Sequence, residues 1–147
     1  MRVIETILAS LIIVAALSFV TVYAVLPSTS TYEVSDLDKM AYSVLQDLDQ
    51  HGLLPQFVYT NDWNNLRSAL KMTLPVDVYF NLTVYDVNRN KISGAYPIVY
   101  GDSKTFEVSK NIASVTYTLI GYQQGGLPEN YIAVYDPRVL VLLICRG

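Results

Sequence analysis

Apolar positions along this chain follow three patterns, and each predicts a different kind of element. Val3 to Leu26 is apolar at nearly every position and carries one charge, Glu5. As a helix its 24 residues would extend about 36 Å, more than the ~30 Å hydrocarbon core of a bilayer. Pro27 stops that run. "PSTSTYE" comes next, with hydroxyls that compete for helix backbone groups, and predicts a short spacer over residues 27–34.

Helical periodicity then begins. In "SDLDKMAYSVLQDLDQHG", Leu37, Met40, Ala41, Val44, Leu45 and Leu48 recur at i, i+3, i+4 and i+7, with Ser35 as N-cap and Gly52 as stop. A second short helix is expected from about Asp62 to Met72, capped by Thr60 or Asn61. Trp63, Leu66 and Leu70 would face the core, and Pro75 ends it.

Alternation with a period of two takes over in "VDVYFNLTVYDV". Val76, Val78, Phe80, Leu82 and Val84 fall on one face and Asp77, Tyr79, Asn81, Thr83 and Tyr85 on the other. "NRNK" reads as a turn, and "ISGAYPIVYG" as an irregular strand that Pro97 assigns to an edge or bulge. "KTFEVSKNIASVTYTLIGY" predicts one or two strands and "QQGGLPEN" a loop. "YIAVYD" and "RVLVLLI", parted by Pro137, complete about five strands. The second of these is apolar on both faces, as a central strand covered on each side would be; the alternative is a strand donated to a neighbour's sheet.

Helices followed by strands, with no internal repeat, predict an α+β chain: an apolar N-terminal helix (1–26), a spacer (27–34), and a head (35–147). In that head a helical hairpin packs on a largely antiparallel sheet. The size agrees, since 147 residues with 52% hydrophobic and 16% charged accommodate one domain plus one apolar segment. Ala15, Ala16 and Ala24 are embedded in apolar sequence, so the segment reads as retained rather than as a cleaved signal. Arg2 precedes it, while Glu33, Asp36 and Asp38 follow. The positive-inside rule then puts the N-terminus in the cytoplasm and the head outside, with Tyr23 as an interfacial aromatic.

A net charge of −3 without a cluster of Lys and Arg excludes a nucleic-acid partner. The lone Cys145 permits no internal disulfide or multi-cysteine zinc site, and in "VLLICRG" it reads as a small buried hydrophobe. Asp47 and His51 share a helix face, but a metal site wants a third ligand nearby and none is present, so no metal is expected. One histidine, no nucleophile elbow and no phosphate-cradling glycine pattern give no enzyme activity and no cofactor. Asn81-Leu82-Thr83 is a glycosylation sequon on the wet face of its strand. Twelve tyrosines, all but Tyr23 beyond the apolar run, suit exposed β-structure or subunit contact.

One charge in an apolar helix needs a partner or a route to water. Glu5 could pair with Arg2, three residues back. It also shares a helix face with Ala9, Ile12 and Ala16, at offsets of 4, 7 and 11, where small residues let another helix approach closely. This N-terminus resembles that of type IV pilins, particularly the short archaeal pilin-like proteins. The layout of apolar helix, amphipathic helix and β-rich head is similar to archaeal minor pilins and pilus-associated TadE-like proteins. In that family a glutamate sits at the fifth position of the mature chain, which Glu5 matches if Met1 is the mature first residue. Arg2 departs from the small or hydroxyl residue usual there.

The resemblance implies an extracellular filament subunit whose apolar helices bundle, with Glu5 meeting the Met1 amine of a neighbouring copy. Its partners would be copies of itself, membrane lipid before assembly, and the pilus assembly machinery. The alternative is a membrane-anchored extracellular binding or accessory domain that does not polymerise.

Overall fold

A computed structural model of the chain describes residues 2–24, 29–94, 98–124 and 132–147; the side chains of 2, 17–24, 29–32, 124 and 132 are outside that description. Two compact units divide the chain, residues 1–32 and 33–147. The architecture is α+β. Helices α1 (Arg2–Ala24), α2 (Thr29–Gln50), α3 (Leu53–Tyr59) and α4 (Trp63–Thr73) precede strands β1 (Val78–Tyr85) and β2 (Ile98–Tyr100). Helix α5 (Ser103–Val108) and strands β3 (Ile112–Gln124) and β4 (Ile132–Arg146) follow. The strands form one antiparallel sheet in the order β2-β1-β4-β3.

In the first unit, α1 exposes its apolar side chains around the whole circumference: Val3 is 70%, Leu8 61% and Ile13 59% exposed. Two of its hydroxyls bond within the helix, Ser10 Oγ donating to Ile7 O at 2.9 Å and Thr6 Oγ1 to Val3 O at 3.3 Å. Among the described residues no helix is long and apolar enough to cross a membrane. The side chains described along α1 run from Val3 to Ala16, about 21 Å of rise.

In the second unit, one face of the sheet is lined by Phe80, Leu82, Leu140, Leu142 and Ile144. It packs against Leu37, Ala41 and Leu45 of α2, Leu54 and Val58 of α3, and Leu66 and Leu70 of α4, all fully or nearly fully buried. The alternation read from the sequence holds along β1, where buried and half-buried residues alternate from Val78 to Tyr85. β4 lies in the middle of the sheet as expected, but its second face, Val139, Val141 and Leu143, is half-buried rather than covered.

Several expectations are corrected. Residues 29–34 were assigned to a spacer, yet they form the first turns of α2, so Ser35 is inside a helix and does not cap it. At the end of that segment Val34 packs on the core, and Glu33 Oε2 accepts from Asn111 Nδ2 at 2.6 Å, tertiary contacts that local propensity does not contain. Pro27 lies outside the described residues.

Helix α3 was not predicted; its third residue is Pro55. It occupies the first turn, where its absent N–H costs nothing. Gly52, at φ 72°, separates α2 from α3, a left-handed conformation that suits glycine. The α3–α4 junction is a Schellman turn in which Asp62 N donates to Phe57 O and Asn61 N to Val58 O, with Asn61 at φ 56°. The N-cap of α4 is therefore Asp62, which accepts from Asn65 N, and not Thr60 or Asn61.

Among the described residues there are four strands, where about five were expected. "KTFEV" is the helix α5, because Asp102 caps Lys104 N at 3.3 Å. Val76, placed on the buried face, is 86% exposed ahead of β1. "YIAVYD" and "RVLVLLI" are one strand. Leu119 pairs with Arg138 and Gly121 with Tyr135, so two β4 residues, Asp136 and Pro137, oppose the single Ile120. Pro137 sits in that bulge, where a missing ladder donor is tolerated. The edge strand expected around Pro97 is β2; Pro97 itself lies outside the described residues.

Candidate functional site

The predicted assembly residues belong to α1. Glu5, Ala9, Ile12 and Ala16 lie on one side of that helix, within about 60° of arc at 100° per residue. All four are exposed, and Met1 lies outside the described residues. Among the described residues Glu5 forms no ion pair. The face thus offers a carboxylate and two small side chains on a rod whose other exposed residues from Val3 to Ala16 are apolar except for Thr6 and Ser10.

Asn81 is half-buried on the open face of the sheet, between Val99 of β2 and Leu143 of β4. His51 and Asp47 do share a helix face, with His51 Nδ1 2.7 Å from Asp47 O and 3.5 Å from its Oδ1. No further His, Cys, Asp or Glu completes a metal-binding group among the described residues. Cys145 is fully buried opposite Tyr79 and Ile112, and burial pushes its thiol above the ordinary value while a hydrogen bond with Ser109 pulls the other way.

Sequence reading missed a groove of about 770 Å³ in the head, lined by α3 and by the β3–β4 ribbon beyond the end of β1. Gly121 makes the ribbon possible there: a Cβ on it would lie 2.0 Å from Val134 O. Tyr59 of α3 anchors the groove wall by donating from its hydroxyl to Asp136 O at 2.6 Å, at the β4 bulge. Its ring meets that of Tyr122 at 4.8 Å between centroids, tilted by 39°, and lies 5.5 Å beneath the Arg138 guanidinium, which is paired with Asp136 at 2.8 Å.

Burial, followed by the Asp136 charge, pushes the Tyr59 hydroxyl up to about 12, so it is a neutral donor at physiological pH. Exposed Ile120 and Tyr135, together with Gln56 and Gln123, complete the lining. The tyrosines were visible in the sequence; what brings Tyr59 to Tyr122 is α3, which was not predicted, and the bulge at Pro137. Neither pattern has a sequence signature specific enough to place the groove.

Chemically, the groove offers aromatic faces and amides but no paired acid and base, whereas α1 offers a surface for another apolar helix. Compared with protein-family models, with curated proteins and with solved structures, the chain matches none.

Proposed function

We propose that this chain is a structural subunit of an extracellular, type IV pilin-like filament, assembled by bundling of α1 and displaying the α+β head on its surface. The observation that carries the reading is the exposure of apolar side chains all around α1, from Val3 to Val14. A helix apolar on all sides needs an apolar medium or other helices. Over Arg2–Ala24 the rod is about 34 Å long. It is lodged in the bilayer before assembly and in a bundle of its own kind afterwards.

Within such a bundle, Ala9 and Ala16 let helices approach closely, and interhelical packing supplies the attraction that lipid does not. Glu5 sets the register. A carboxylate in an apolar core is stable only opposite a positive charge, and the N-terminal amine of the neighbouring copy supplies it. Met1, Glu5, Ala9, Ile12 and Ala16 are the assembly residues of this reading, and the pilus assembly machinery is its expected partner. Asn81 remains the candidate glycan site of the head.

Glu5→Ala tests it in cells producing the full chain. The head should fold normally while filaments released by shearing disappear. Abundant normal filaments from the variant would refute the role of Glu5.

The groove beside α3 favours a second reading, a membrane-anchored extracellular binding domain that does not polymerise. Under that reading the full chain stays in the membrane fraction and Glu5→Ala changes nothing.

A further inference from the structure

The lining of the groove beside α3 limits the ligand it can hold. None of the described residues that line it is charged, so a phosphate, carboxylate or ammonium group entering it would lose water without gaining a partner of opposite sign. Nor is the lining simply apolar. Gln56 and Gln123 are exposed, and among the described residues their side-chain amides make no hydrogen bond. Each amide carries both donors and an acceptor oxygen, and a purely apolar ligand would cover these groups unpaired. The aromatic part of the lining is Tyr135, 78% exposed and without a ring partner among the described residues, together with Tyr122 and Tyr59.

We propose that this groove binds a short neutral saccharide. A sugar carries no charge, its hydroxyls donate and accept as the two amides do, and the C–H groups on one face of its ring are attracted to the negative face of an aromatic ring. The volume, about 770 Å³, lies within the roughly 300–1,000 Å³ of small-molecule sites. One wall is set in advance: Tyr59 is held by its bond to Asp136 O, by Tyr122 and by Arg138, so binding has little to order there. A polyproline segment would use the same rings, but proline has no N–H and would leave the amide oxygens of Gln56 and Gln123 without a donor.

The site belongs to the head and holds whether or not α1 bundles, so Glu5→Ala should leave it unchanged. Saturation-transfer NMR of the full chain, in a detergent without a sugar headgroup, tests it with neutral trisaccharides of glucose, mannose, galactose and N-acetylglucosamine. At least one should receive transfer at its ring protons. Tyr135→Ala should weaken that binding about tenfold, Gln123→Ala should weaken it as well, and Tyr135→Phe, which keeps the ring, should retain it. Transfer to none of the four, binding unchanged by Tyr135→Ala and Gln123→Ala, or transfer to a proline decamer in place of the sugars would overturn the proposal. If either alanine variant fails to fold, chemical shifts of the unmodified chain decide: the sugar should move the amides of Gln56, Gln123 and Tyr135, and shifts confined to other parts of the head would overturn the proposal.

Discussion

The Tyr117 hydroxyl donates to the Asp49 carboxylate at 2.5 Å, joining β3 to the last turn of α2. A hydrogen bond to a charged acceptor contributes about 1.5–3 kcal/mol when desolvated. This pair is half-buried, so Tyr117→Phe should lower unfolding stability by about 1 kcal/mol. Urea denaturation checks it through a lower midpoint at an unchanged slope.

The same contact predicts a pH dependence. Burial, followed by the bond to Asp49, pushes the Tyr117 hydroxyl up to about 12 from 10.0, and Tyr59 is raised to about 12 in the same way, chiefly by burial. A group whose folded pKa exceeds its unfolded value stabilises fully below the unfolded value and loses that contribution as pH rises through the folded one. Stability from these two tyrosines is therefore level up to pH 10 and falls between 10 and 12. An absorbance titration should show a late phenolate phase that Tyr59→Phe and Tyr117→Phe each reduce.

Two glycines separate backbone strain from steric clash. Gly52 is at φ 72° with open space around its Cβ position, so Gly52→Ala should cost about 1 kcal/mol, the left-handed penalty alone. Gly121→Ala would drive a methyl group into Val134 O, so it should cost more and also open the groove beside Tyr122. Thermal melts of the two variants give the ranking.

Pro137 and Leu142 stand on the same strand with opposite expectations. Pro137 lies in the bulge and gives up no ladder bond, so Pro137→Ala should change stability by less than about 1 kcal/mol. Leu142, fully buried between Leu82 and Val115, should cost about 2–5 kcal/mol when cut to alanine. Equal losses from the two would contradict the assigned register.

Cys145 should resist thiol reagents in the folded chain, because it is fully buried and its thiolate is disfavoured by that burial. Labelling should appear only as urea unfolds the head. Rapid labelling under native conditions would place the C-terminal end of β4 elsewhere.

Strong periodicity was legible and weak local signals were not. The alternation of Val78, Phe80, Leu82 and Val84, and the stripe from Leu37 to Leu48, locate β1 and the core face of α2, since a period of two or 3.6 is imposed by the backbone itself. The start of α2 escaped because its hydroxyl residues read locally as a spacer, while the contact that Glu33 makes, to Asn111, is distant in sequence. Pro137 read as a break, yet it and Pro55 both fall where a missing N–H is harmless, in a bulge and in a first turn. Of the sites, the shared face of Glu5, Ala9, Ile12 and Ala16 follows from helical spacing alone. The Tyr59 groove depends on a long-range pairing that local sequence does not encode.

Electron cryomicroscopy of the purified full chain after detergent removal tests the central claim most directly. The account predicts filaments with a core of α-helical rods 8–10 Å apart and the β-rich head outside. Dispersed single particles without a helical core, or heads standing singly on lipid vesicles with no filament formed, would contradict it.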